Sequence, residues 1–118
     1  MENLLLTDCS KYIRIEMSGN IQKLYHIKSG IYTFAGTDEE TRKPYWIQQS
    51  GLFHIWWYDG YWRVGHQYPT NKIASAIRSE SNTLCPYGNL HWIYWTREEN
   101  NFDSSRGDLS IEPAGEML

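Results

Sequence analysis

The sequence predicts an all-β fold: a single small antiparallel β-sandwich or barrel of about seven to nine short strands around an aromatic-rich core. Three observations lead there. Alternating apolar stretches are short, and Gly, Asn, Asp or Pro interrupts them every roughly 8–15 residues. The chain carries 6 Trp, 9 Tyr and 3 Phe, rings that favour pleated surfaces and bury much area each. Its 118 residues suit one domain, 1–118, long enough to bury a core without metal or staples. Ordered structure is expected over about 9–112, with 113–118 a frayed tail.

The elements follow in order. Lys11 to Met17 alternates, with Ile13, Ile15 and Met17 on one face and Tyr12, Arg14 and Glu16 on the other, which predicts the first strand. Ser18-Gly19-Asn20 reads as a turn, and Leu24 to Ile27 as a short apolar run. Gly30 precedes a second strand, Ile31 to Ala35, which ends at Gly36. Thr37 to Lys43 is polar and is expected to be an exposed connection. Pro44 then opens Tyr45-Trp46-Ile47.

The clearest local signal lies between Phe53 and Val64, where two aromatic runs flank Asp59-Gly60. Asp-Gly suits a two-residue type I′ turn, which needs positive φ at both positions. That turn fixes the register: Tyr58 opposes Tyr61, Trp57 opposes Trp62, Trp56 opposes Arg63 and Ile55 opposes Val64. Opposed residues share a face. Phe53, Ile55, Trp57, Trp62 and Val64 form an apolar core face. His54, Trp56, Tyr58, Tyr61 and Arg63 form the other, which is expected to be at least partly exposed.

Further on, Tyr68 to Asn71 reads as a turn and Ile73 to Ile77 as a strand, with a helical turn over Ala74 to Arg78 as the alternative. Ser79 to Thr83 is a polar loop and Pro86 to Asn89 another turn. Leu90 to Trp95 is apolar on both faces, as in a central strand covered on both sides. Thr96 to Asp108 is long, charged and loop-like, and Leu109-Ser110-Ile111 is a last short strand.

Composition removes several function classes. Net charge is −3 and the sequence pI about 5.7, with Lys and Arg scattered, so no basic stripe points to nucleic acid. The longest run of consecutive aliphatic residues, Leu4-Leu5-Leu6, is far below the ~20 residues a spanning helix needs, and no membrane insertion is expected. Met1-Glu2-Asn3 lacks the charged and apolar regions of a signal peptide. Both an intracellular protein and a mature secreted chain stay open. Cys9 and Cys85 are too far apart for a CxxC motif. One disulfide in an oxidising compartment and two buried thiols are both compatible with them.

No catalytic residue stands out. His26, His54, His66 and His91 show no His-x-x-x-His spacing and no neighbouring Cys, so no metal is expected. Glu39-Glu40 point apart on an extended chain and read as solvated. Nucleophile-elbow, phosphate-loop and dinucleotide motifs are missing, and no cofactor is implied.

The ligand-binding candidates are Trp56, Tyr58, Tyr61, Arg63 and His54. Flat rings beside a cation stack on sugars or apolar side chains, so the expected partner is a glycan or a protein surface. In the competing reading a second sheet or a loop covers these rings, or they form a cross-strand ladder. Arg106-Gly107-Asp108 spells an integrin-recognition tripeptide, or simply a solvated turn before a strand. Three functions follow: a non-enzymatic recognition module, a structural module that packs on neighbours or forms a homo-oligomer, and a small enzyme with an unfamiliar site.

Several short motifs also occur in a telling order. Cys9-Ser10, Gly30-Ile31-Tyr32-Thr33, Gly36, Arg42-Lys43-Pro44-Tyr45, Trp62-Arg63-Val64-Gly65, Cys85-Pro86 and Trp92-Ile93-Tyr94-Trp95 succeed one another. This resembles a small Cys-containing all-β module of multidomain extracellular proteins in marine invertebrates and some protists. Its pattern runs Gly-x-Tyr, Arg-Pro-x-Tyr, Trp-x-Ile-Gly, Cys-Pro and Trp-x-Tyr-Trp, and the resemblance spans about residues 9–111. Here Lys43 separates Arg42 from Pro44, and no closing Cys follows Ile111. The resemblance implies an extracellular, non-enzymatic adhesion or recognition module.

Overall fold

A computed structural model describes residues 9–88 and 90–115. Among them are nine strands in one antiparallel sheet: β1 (Tyr12–Met17), β2 (Gly30–Thr37), β3 (Pro44–Gln48), β4 (His54–Tyr58), β5 (Tyr61–Gly65), β6 (Ile77–Ser79), β7 (Trp92–Thr96), β8 (Asn101–Ser104) and β9 (Leu109–Pro113). Their order in the sheet is β8-β7-β6-β5-β4-β3-β2-β1-β9. The chain meanders from β1 to β8, then returns to lay β9 beside β1. One short helix, α1 (Gly19–Tyr25), and a 3-10 turn (His26–Lys28) join β1 to β2.

The topology forces curvature. Laid flat, nine strands would place the sheet edges about 38 Å apart at roughly 4.8 Å per step. Yet β8 ends at Ser104 and β9 begins at Leu109, a link that reaches at most about 18 Å. The sheet therefore curls into a half-barrel, and the fold is all-β with an aromatic core, as the sequence predicts.

The Asp59-Gly60 hairpin has the register that its turn chemistry dictates. His54 to Tyr58 pair with Gly65 to Tyr61, residue for residue, and Asp59 and Gly60 have φ of 54° and 91°. From this ladder the apolar face continues inward across the sheet. Trp46 pairs with Ile55, Ile55 with Val64, Val64 with Ile77 and Ile77 with Tyr94. Ile13, Ile15, Tyr32, Trp46, Ile55, Trp62, Val64 and Ile77 are all but inaccessible. Each fully buried aliphatic side chain in such a core stabilises by about 1.5–3 kcal/mol.

Buried indoles need partners for their N–H, and irregular backbone supplies them. Trp46 Nε1 donates to Ser10 O at 3.0 Å, Trp62 Nε1 to Thr83 O at 2.9 Å and Trp56 Nε1 to Lys72 O at 2.8 Å. Cys9 and Cys85 are joined in a disulfide. It ties the segment entering β1 to the loop between β6 and β7.

Several sequence expectations need correction. The turn at Ser18–Asn20 and the run Leu24–Ile27 are α1 and the 3-10 turn. The missed signal is helical spacing: Ile21, Tyr25 and Lys28 lie at i, i+4 and i+7, with Ile21 and Lys28 buried and Tyr25 half-buried. The strand expected over Ile73–Ile77 is only β6, Ile77–Ser79. The loop expected from Thr96 to Asp108 contains β8, an outer strand whose single apolar residue, Phe102, left no alternation to read. The last strand runs to Pro113, and Ala114 N still donates to Tyr12 O at 2.9 Å. Expectations for 1–8, Asn89 and 116–118 lie outside the described residues.

Candidate functional site

The hairpin's second face is covered. Trp56 is 1% exposed and Arg63 5%, against the expectation of an accessible platform. The cover is the segment between β5 and β6. Its Tyr68 ring packs on Trp56 and His54, with centroids 5.4 Å away in each case, and on Tyr45 at 4.8 Å. Arg63 Nη1 donates to Ile73 O at 2.7 Å and Nε to Tyr58 O at 3.1 Å. Burial lowers the pKa of Arg63 and also that of His54, whose Nδ1 is buried without a hydrogen-bond partner.

A carboxylate latches the cover down. Asp38 is buried at the start of the β2–β3 connection, which is otherwise largely exposed. Lys72 Nζ lies 3.0 Å from its Oδ2 and 2.9 Å from Glu40 Oε1. Tyr68 O–H donates to Oδ2 at 2.8 Å, and the backbone N–H groups of Glu40 and Thr41 donate to Oδ1 at 2.8 and 3.1 Å. Burial alone would raise the Asp38 pKa. The bonds from Lys72, Thr41, Tyr68 and Glu40 outweigh it and hold the carboxyl at about 2.

The other expected residues fare differently. Tyr58 is half-buried and its hydroxyl donates to Glu40 Oε2 at 3.5 Å. Tyr61 is half-buried under the Arg78 guanidinium, 4.3 Å from the ring centroid. In the Arg106-Gly107-Asp108 turn, Arg106 and Gly107 have φ of 55° and 85°. Asp108 is turned back on the fold: Ser18 Oγ donates to its Oδ1 at 3.2 Å. A Cβ at Gly19 would lie 2.2 Å from its Oδ2. That carboxylate is a structural acceptor rather than a projecting ligand.

A groove of about 520 Å³ opens beside α1. That volume is within the range of small-ligand sites. Tyr25 and Lys28 form one wall, His66 and the chain from Ile73 to Ala76 a second, and Trp95 and Phe102 a third. The β7–β8 pairing sets Trp95 opposite Phe102, with centroids 5.3 Å apart and edge to face. Tyr25 O–H donates to Trp95 O at 2.6 Å, which pins α1 to β7. Arg78 lies over Phe102 at 5.2 Å as well as over Tyr61, so Tyr61 connects to the groove wall through one guanidinium.

Two polar groups in this setting lack partners. Lys28 is 8% exposed, with Nζ 4.8 Å from the Tyr25 ring centroid and 4.7 Å from that of Phe53. No carboxylate among the described residues pairs with it, and burial lowers its pKa. Ser75 Oγ is buried with no hydrogen-bond partner.

The surroundings are also unusual. Five large hydrophobic side chains are exposed among the described residues, by 47–63%. Ile73 lines the groove. Leu24 and Ile27 adjoin Tyr25 and Lys28 in sequence, and Leu52 precedes Phe53. Gln48 Nε2 holds the last two parts together, donating to Ile27 O and Ser29 O at 2.9 and 2.8 Å from the end of β3.

Sequence reasoning missed this groove because five separate segments build it. Its readable traces were the helical spacing of Tyr25 and Lys28 and the paired rings of Trp95 and Phe102. No protein-family model, curated protein or solved structure matches the chain.

Proposed function

We propose that the domain is a non-enzymatic recognition module that takes part of a protein surface into the groove beside α1. The observation that carries this reading is an unpartnered ammonium and an unpartnered hydroxyl set among aromatic walls. A buried hydroxyl such as that of Ser75 is normally satisfied within a fold, and concave apolar sites with a few polar groups are where ligands bind. The exposed Leu24, Ile27, Leu52 and Ile73 favour an apolar partner, since large exposed hydrophobics near a groove mark interaction surfaces. The disulfide agrees with an extracellular or lumenal setting, because such bonds persist in oxidising compartments. A glycan is the second reading, favoured by the Trp95 and Phe102 rings, which offer stacking faces.

The test presents the folded domain to a random peptide display library and to a glycan array, beside a Phe102→Ala, Ile73→Ser variant checked for folding. Peptide binders that lose the variant support the proposal. Glycan binders that lose it favour the second reading. Binders of either kind that ignore the variant remove the groove from consideration. Self-association that the variant abolishes would assign the groove to copies of this chain.

A further inference from the structure

We infer that the groove reads the carboxyl-terminal end of a polypeptide whose last residue is apolar, with Lys28 receiving the terminal carboxylate. The inference rests on the recognition reading above and names its chemistry.

Lys28 is the starting point. Two ring faces stabilise its charge but accept none of its N–H donors in the way an oxygen does. The ammonium has no acceptor among the described residues and keeps only a small opening to solvent, and an arriving carboxylate offers charge-assisted bonds, the strong class of hydrogen bond. Tyr25 beside it and Trp95 and Phe102 elsewhere in the groove lining give ring walls, which suit an apolar side chain. A chain terminus carries its carboxylate and its last side chain on one Cα, so both enter the one groove together. Residues further up the chain would then pass Ile73 on the groove wall and meet Leu24, Ile27 and Leu52 outside the groove. A free arylalkanoic acid shares the first two features and has no use for the third.

The probes are N-acetyl-Ala-Leu-Phe with a free carboxylate, the same peptide as its C-terminal amide, and 3-phenylpropionate. Amide chemical shifts locate binding on the wild-type domain and on Lys28→Met, which keeps the length and packing of the side chain; Lys28→Arg tests for rescue. The free-acid peptide is expected to shift Lys28, Ser75, Trp95 and Phe102, to bind at least tenfold more tightly than the amide, and to lose that advantage in Lys28→Met. Partial return in Lys28→Arg supports the same assignment. Equal binding of acid and amide in the groove overturns the carboxylate inference and leaves the groove intact. Binding of 3-phenylpropionate without the peptide overturns it in favour of a small acid. Shifts elsewhere, or none with any probe, overturn both the inference and the groove.

Discussion

Replacing Asp38 by Asn should show how firmly the covering segment is held. The substitution keeps the side chain's shape but removes the charge that pairs with Lys72 at 3.0 Å. It also puts an NH2 where one of the carboxylate oxygens accepted. The folded-state pKa of about 2 stands below the ordinary 3.8. At about 1.36 kcal/mol per pH unit, that gap corresponds to about 2 kcal/mol. Because the folded pKa is lowered, the contribution is complete above the unfolded value. It disappears as pH falls from about 4 to about 2, where the unfolded chain takes up the proton first. Urea melts of wild type and Asp38→Asn should therefore differ by about 2 kcal/mol at pH 7 and converge near pH 2. Hydrogen exchange at Trp56 and Arg63, beneath the cover, should speed up in the variant at neutral pH. A difference below about 0.5 kcal/mol at pH 7, the scale of a surface ion pair, would refute the latch. So would a difference that persists unchanged at pH 2.

Two further outcomes are expected. Removing the disulfide with a Cys9→Ser, Cys85→Ser pair frees a loop with a sequence separation of 76, for which chain entropy gives a loss of up to about 4.5 kcal/mol; thermal melts with and without reductant should bring wild type to the level of the pair, and a reductant-insensitive melt would contradict this. His54 is disfavoured as a cation by burial, so its folded pKa is lowered and stability should fall as pH drops below about 6.5, the unfolded value. His54→Gln should flatten that part of the stability–pH curve, and an unchanged slope there would count against a buried neutral imidazole.

The hairpin was legible because its information is local. Asp59-Gly60 fixes a two-residue turn, the turn fixes the register, and the register sorts Ile55, Trp62 and Val64 from Trp56 and Arg63. What covers Trp56 and Arg63 was not legible, since Tyr68, Lys72 and Ile73 arrive from a segment with no strong periodicity. Ile73 escaped the expected strand because its carbonyl serves Arg63 instead of a ladder. β8 was hidden for the opposite reason: an outer strand facing water needs little apolar pattern. The cysteine pair stayed open because sequence spacing does not report distance in space. Lys28 carried the least signal of all, since lysine is almost never read as buried.

The pairing of β9 with β1 has a mechanical consequence. Ile13 faces Pro113 across that ladder, so tension applied at the two ends of the domain opens it from one end, like a zipper, one pair at a time. Tension from the N-terminal side also enters at Cys9, and the disulfide passes it directly to Cys85. The strands β1 to β6 lie between those cysteines and carry no extension. Only the roughly 28 residues from Cys85 to Pro113 pay out, about 95 Å at 3.3–3.6 Å per residue. Reduction would release the whole length from Cys9, about 350 Å. In a stretched assembly the oxidised domain is thus a short tether with a hard stop, and the redox state of one bond sets its reach.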